Sequence, residues 1–167
     1  MSAAERRLEV SWQDPVALGE KARSMAGLEF LRGIVSGELP KAPIQELVGF
    51  EVTEADEGRV VFTGTPGEQH YNPIGVVHAG FAATLLDSAL GACVHTTLPL
   101  GTAYTTLETK FNLVRPITAE TGEVRAEGNV VHGGRTTATS EARLTRPDGK
   151  LLAHGTSTCV IFEVPAR

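Results

Sequence analysis

Residues 76–98 read VVHAGFAATLLDSALGACVHTTL, and the interpretation of this one stretch decides the fold. The run is apolar enough to raise the question of a membrane crossing, but Asp87 and His95 interrupt it and glycines recur along it. Its length and its Ala and Leu content predict a buried helix rather than a strand. On a helical wheel Phe81, Leu85, Leu86, Ala89, Leu90 and Cys93 form a bulky apolar surface suited to a sheet. Gly80, Ala83, Thr84, Asp87, Gly91 and Val94 form a stripe of mostly small residues suited to close approach by a second subunit or a ligand. A carboxylate in the middle of such a helix is costly to bury without a partner or a purpose. Two readings of Asp87 therefore stand: a structural hydrogen-bond acceptor, or a chemical group.

Outward from the helix, the chain sorts into a helical leader and a sheet. Asp14 and Pro15 are suited to cap and open a helix over 14–36, with Gly27 expected to break it in two. The stretch 37–43 reads as a linker by its prolines, and Ile44 to Leu47 as one further short helical turn. Phe50 to Thr53 and Arg59 to Thr65 read as a hairpin around the turn-like segment 54–58. Beyond Pro99 four strands are expected, Ala103 to Val114, Gly122 to His132, Arg135 to Thr145 and Leu151 to Phe162, with tight-turn signals at Gly133-Gly134 and Asp148-Gly149. Alternation in the first of these puts Thr105, Leu107, Thr109 and Phe111 on one face, which is expected to meet the helix. The order predicts an α+β fold, an antiparallel sheet packed on one principal helix. The domain division expected is 1–48 for the extension and linker and 49–163 for the sheet domain.

At 167 residues the chain has room for one domain, and its 41% apolar and 21% charged composition is that of a globular protein. A net charge of -5 argues against nucleic acid as the main partner. Cys93 and Cys159 lack the spacing of a zinc or redox motif and read as buried thiols. The N-terminal MSAAERRLEV has no apolar run after its charges, so a secretory signal is not expected, nor a membrane partner, and the expected location is cytoplasmic.

The loop before the helix, Asn72-Pro73-Ile74-Gly75-Val76-Val77-His78-Ala79-Gly80, sets an amide, an imidazole and flexible backbone at a helix N-terminus. Free N–H groups and the helix dipole there favour developing negative charge, which makes it a candidate oxyanion hole. Taken alone, His78 also reads as an ordinary packing histidine.

The pattern from Asn72 through Asn-Pro-x-Gly-x-x-His-x-Gly to Leu85-Leu86-Asp87 resembles the signature of the PaaI-type branch of hotdog thioesterases, which cleave acyl-CoA thioesters. Phe111-Asn112-Leu113-Val114-Arg115-Pro116 is similar to that family's strand-ending Arg-Pro, and Val131-His132-Gly133-Gly134-Arg135 to its hairpin glycine and basic residue. The resemblance covers Gly49 to Phe162. It implies a hotdog fold, a sheet wrapped around the central helix, with homodimers, and dimers of dimers, carrying the sites at the interface. Residue by residue it implies Asp87 as general base or nucleophile, the Ala79 N–H on the thioester carbonyl, Asn72 and His78 as orienting groups, and Thr105 as holder of the attacking water. Ala79 departs from the family, where many members have glycine.

For the CoA portion of the substrate, Arg115 and the hairpin residues Gly134, Arg135 and Thr136 are the candidates to meet phosphates and the pantetheine arm, against the plainer reading of solvated charges at strand ends. Neither a nucleotide-type glycine loop nor a metal-ligand spacing is present, so no metal and no separate cofactor is expected. The alternative to hydrolysis is a noncatalytic acyl-CoA binding or sensing module of the same fold. The acidic and histidine arrangement of hotdog hydratases is not found.

Overall fold

The structure, a computed structural model, describes residues 5–164; the first four residues of the expected extension lie outside it. Two short helices open the chain, α1 (Pro15–Ser24) and α2 (Gly27–Ser36). Asp14 caps α1, its carboxylate accepting the Val16 N–H at 2.9 Å, and Pro15 occupies the first turn, where no donor is needed. The break falls at Met25 and Ala26, both extended, and not at Gly27, which begins α2. Gly27 serves contact instead: a Cβ there would collide with the His95 carbonyl, and the Gly27 N–H donates to the Leu98 carbonyl at 3.0 Å. The short helix α3 (Pro43–Val48) then leads into β1 (Phe50–Asp56) and β2 (Arg59–Gly64). The turn between these strands is confined to Glu57 and Gly58, so β1 runs three residues beyond the expected Thr53.

The apolar stretch forms α4 (Ala79–His95), capped by His78, and the remaining strands are β3 (Thr102–Leu113), β4 (Val124–Gly133), β5 (Thr137–Thr145) and β6 (Leu151–Glu163). Among the described residues the strands form one antiparallel sheet of six, in the order β1-β2-β4-β5-β6-β3. The sheet wraps α4. Leu85, Leu86, Ala89, Leu90 and Cys93 are each 0% exposed against it, as the bulky surface on the wheel anticipates. Each leucine so buried stabilises the fold by about 2 kcal/mol relative to exposure. Gly128 of β4 lets the helix come close, since any Cβ there would strike the Ala89 carbonyl. A second tie is polar: the Ser140 hydroxyl of β5 donates to the Leu90 carbonyl at 2.8 Å. Leu18, Phe30 and Leu31 from the leading helices belong to the same core.

The two edges of the sheet differ. α2 packs against β1, and the Arg32 guanidinium donates to the Ala55 carbonyl of β1 at 3.2 Å. β3 has β6 on one side and, among the described residues, no strand on the other. Leu107 and Leu113 on that strand are 62% and 52% exposed. Cys93 and Cys159 are free and buried, and burial pushes the Cys93 thiol up to about 12. Among the described residues, no helix is long and apolar enough to cross a membrane.

Candidate active site

Between Tyr71 and His78 the chain doubles back on itself, with Tyr71 and Val77 paired as an isolated bridge. Asn72 holds the turn: its side-chain oxygen accepts the Ile74 and Val76 N–H groups at 3.0 and 3.3 Å. That oxygen is committed to the loop, and only the amide N–H groups of Asn72 are left to point outward. The Val77 N–H donates to the Ile117 carbonyl at 2.9 Å, anchoring the loop to the segment that follows β3.

His78 is the N-cap of α4, its Nδ1 accepting the Gly80 N–H at 2.8 Å. A neutral ring in this role carries its proton on Nε2, as a donor toward solvent. Among the described residues, no acceptor takes the N–H of Ala79, the first residue of the helix. An open backbone donor thus stands at the positive end of a 17-residue helix. A cleft of about 360 Å³ opens at this point, lined by Asn72, His78, Ala79, Ala82, Leu113 and Arg115 with their neighbours. Arg115 is fixed at its rim by a 2.5 Å bond from the guanidinium to the Leu151 carbonyl. Backbone and side-chain donors, a cation and apolar side chains line the same cleft, which can hold a carbonyl whose oxygen gains negative charge.

Asp87 does not line this cleft. It lies two helical turns further along α4 and is exposed, contrary to the expectation of a buried carboxylate. That side of the helix lies beside the edge strand β3, where Asp87 meets Thr109 and Gly91 meets Tyr104, and among the described residues no further strand covers it. Of the expected stripe, Gly80, Ala83 and Thr84 are partly open, whereas Val94 is buried and Gly91 packs against the Tyr104 ring. The Asp87 carboxylate accepts a hydrogen bond from the Thr109 hydroxyl at 3.0 Å. That hydroxyl is 3.4 Å from the Ser157 Oγ, which itself donates to the Glu108 carbonyl.

Thr105 is elsewhere. A bulge between Thr106 and Glu108 reverses the alternation of β3, so that Thr105, opposite Val160, faces away from α4 while Thr109, opposite the buried Ser157, faces it. The expected single face from Thr105 to Phe111 is therefore split, and the hydroxyl beside Asp87 belongs to Thr109. A bulge depends on pairing with β6, and no local residue pattern announced it.

The second group of expected residues also separates. Gly134, Arg135 and Thr136 form the β4–β5 turn, closed by the Gly134 N–H on the Thr137 carbonyl at 2.9 Å. Thr137 pairs with Val160, which pairs with Thr105, whereas Arg115 follows the other end of β3. From Thr105 to Leu113 the strand advances about 27 Å. Arg135 and Arg115 thus sit at opposite ends of the sheet in one chain. Nearer to Arg115 is the β5–β6 turn, where Arg146 and Lys150 flank Asp148 at 3.6 and 3.2 Å. Among the described residues, no group of three or more His, Cys, Asp or Glu is placed to hold a metal ion.

The Thioesterase superfamily matches residues 74–153. No curated protein matches the chain. Among solved structures, a variant of the phenylacetic acid degradation protein PaaI from Thermus thermophilus is 30% identical, with a TM-score of 0.65, covering 71% of this chain and 98% of that one. A putative thioesterase related to phenylacetic acid degradation, from Ralstonia eutropha, is 26% identical with a TM-score of 0.70, covering 78% and 98%. A hypothetical thioesterase from Streptococcus pneumoniae, solved with coenzyme A, shares the fold at 24% identity and a TM-score of 0.63, covering 71% and 89%.

Proposed function

We propose that this chain, which belongs to the thioesterase superfamily and to its PaaI-like hotdog branch, hydrolyses an acyl-CoA thioester to a carboxylic acid and free CoA at sites that two subunits build together. The observation that carries the reading is the separation of Ala79 from Asp87. Residues 79 and 87 of one α-helix lie about 12 Å apart along its axis, too far to serve one carbonyl. A second copy joined along the open edge of β3 supplies the missing carboxylate. Edge pairing would also cover the exposed Leu107 and Leu113 and complete the unpaired backbone of β3.

In this arrangement the thioester oxygen accepts the Ala79 N–H at the positive end of α4, while His78 and Asn72 orient the acyl group from the loop. Asp87 of the second subunit, held by Thr109, takes a proton from water, and the oxygen adds to the carbonyl carbon. Alternatively the carboxylate attacks first and water then cleaves the resulting anhydride. Either way the C–S bond breaks, and the CoA thiolate leaves and takes up a proton.

The CoA arm has a cationic exit. Arg115 stands at the rim of the cleft, with Arg146 and Lys150 on the neighbouring turn. Antiparallel pairing of two β3 strands would also bring the other subunit's Arg135 turn toward this end, restoring across the interface a pair that one chain keeps apart. The Streptococcus pneumoniae protein, crystallised with coenzyme A, supports a CoA thioester as ligand.

The test is thiol release from acetyl-, hexanoyl-, lauroyl-, benzoyl- and phenylacetyl-CoA by the native protein and by Asp87→Asn at matched folding and assembly. Hydrolysis that falls by about a hundredfold or more in the variant supports the reading. Tight acyl-CoA binding with no thiol release from either protein would favour the binding-module alternative.

A further inference from the structure

His70 has no part in the steps above, yet two of its contacts meet at the start of α4 and a third anchors its ring. Its backbone carbonyl accepts the His78 N–H at 2.7 Å. Its ring packs on Phe81, with centroids 4.7 Å apart and planes inclined by 36°. Its Nδ1 accepts the Gly67 N–H at 3.0 Å, which fixes the ring to the strand-to-loop passage after β2. The Val48 carbonyl, at the end of α3, also acts on this ring. Burial outweighs the opposing pull of that carbonyl and holds the imidazole below its ordinary pKa, which favours the neutral form that can accept at Nδ1.

Phe81 is 4% exposed in the first turn of α4, and His78 is the cap of that helix. One residue therefore grips the capping backbone by its carbonyl and the first turn by its ring. Between those two grips lies the Ala79 N–H. An oxyanion donor is effective only when it is aimed to within a fraction of an ångström, and misplacement of about 1 Å costs on the order of a hundredfold in rate.

We propose that His70 is a positioning residue that aims the Ala79 N–H, by clamping His78 and Phe81 and anchoring that clamp through Nδ1 to Gly67. The inference rests on the proposed role of Ala79 as carbonyl donor. It also ties the leading helices to the site, since Val48 ends them and faces the same ring.

His70→Phe keeps a ring on Phe81 but leaves the Gly67 N–H without its acceptor, whereas His70→Asn returns an acceptor near the Nδ1 position. The expected result is a kcat for His70→Phe about tenfold or more below the native value, with KM changed by less than about threefold, and partial recovery in His70→Asn. A native kcat in His70→Phe, a loss confined to KM, or no difference between the two variants overturns the proposal. Hydrogen exchange at the bonded amides of Val77, His78 and Gly80 gives a readout that needs no turnover. About tenfold faster exchange there in His70→Phe, with mid-helix amides unchanged, is expected; unchanged exchange at these three amides also overturns it. If the native protein hydrolyses no thioester, the proposed function fails, and the exchange data still decide whether His70 holds the helix start.

Discussion

The Thr109 hydroxyl donates to the Asp87 carboxylate across 3.0 Å, linking the edge strand of the sheet to the middle of the central helix. Both residues lie at the edge of the sheet that no strand covers among the described residues, so this contact is at once part of a surface and part of a candidate catalytic arrangement. A side-chain hydrogen bond of this geometry narrows the set of rotamers open to the Asp87 carboxylate.

Removing that bond separates Thr109 from Thr105 experimentally. Thr109→Val is expected to lower kcat for thioester hydrolysis by about tenfold, because the carboxylate loses its orientation. Thr105→Val, on the far face, is expected to leave kcat within about twofold. Steady-state kinetics on the best substrate of the CoA panel decides between them; the opposite ranking would reject the placement of the two hydroxyls.

The open edge supplies a second expectation. Phe111 is 37% exposed on the α4 side of β3, next to Thr109. Phe111→Glu is expected to turn the assembly into folded monomers, seen by light scattering and circular dichroism, because like charges would meet across the pairing edge. Hydrolysis is expected to disappear with the dimer. A fully active monomer would show that one chain carries a whole site.

The methyl group of Ala79 borders the cleft on which the carbonyl is proposed to bind. Ala79→Gly is expected to favour bulkier acyl groups, shifting the benzoyl-to-acetyl ratio of kcat/KM by about 10-fold and no more, as one carbon in a pocket discriminates modestly. An unchanged ratio would mean that the acyl group lies away from this residue.

Acid sensitivity follows from His95, packed between the rings of Phe30 and Tyr104 at 5.6 and 5.5 Å. Burial lowers its pKa, so as pH falls below about 6.5 the unfolded chain takes up the proton before the folded one. Stability is therefore complete above that pH and declines as pH drops toward the lowered folded value; His70, shifted the same way, adds to the decline. His95→Phe is expected to show a smaller fall in Tm than the native protein between about pH 7.5 and 5.5. Equal falls would assign the acid sensitivity to other groups.

The helix, the strands and the loop motif were legible because each rests on local chemistry. Periodicity marks α4, alternation marks the strands, and Asn72 and His78 hold their own neighbourhoods by hydrogen bonds only a few residues long. What escaped reading depends on distant partners. The bulge at Leu107 arises where β3 registers against β6, and the run Tyr104 to Phe111 alternates without a visible break. Asp87 is flanked by apolar neighbours, and its exposure follows from its place beside the edge strand β3, where it meets Thr109. The helix break at Met25 and Ala26 is set by the docking of Gly27 on the His95 carbonyl, a contact 68 positions away in the chain.

The two sheet edges have a consequence for how copies add. A sheet with two free edges can recruit neighbours on both sides and grow without limit, as fibrils do. Here α2 packs against β1 and Arg32 takes up one of its carbonyls, so in the proposed assembly each protomer would offer one edge, and a pair joined through β3 would spend both on each other. Growth through backbone pairing would then end at two, and any larger assembly would have to use side-chain surfaces instead.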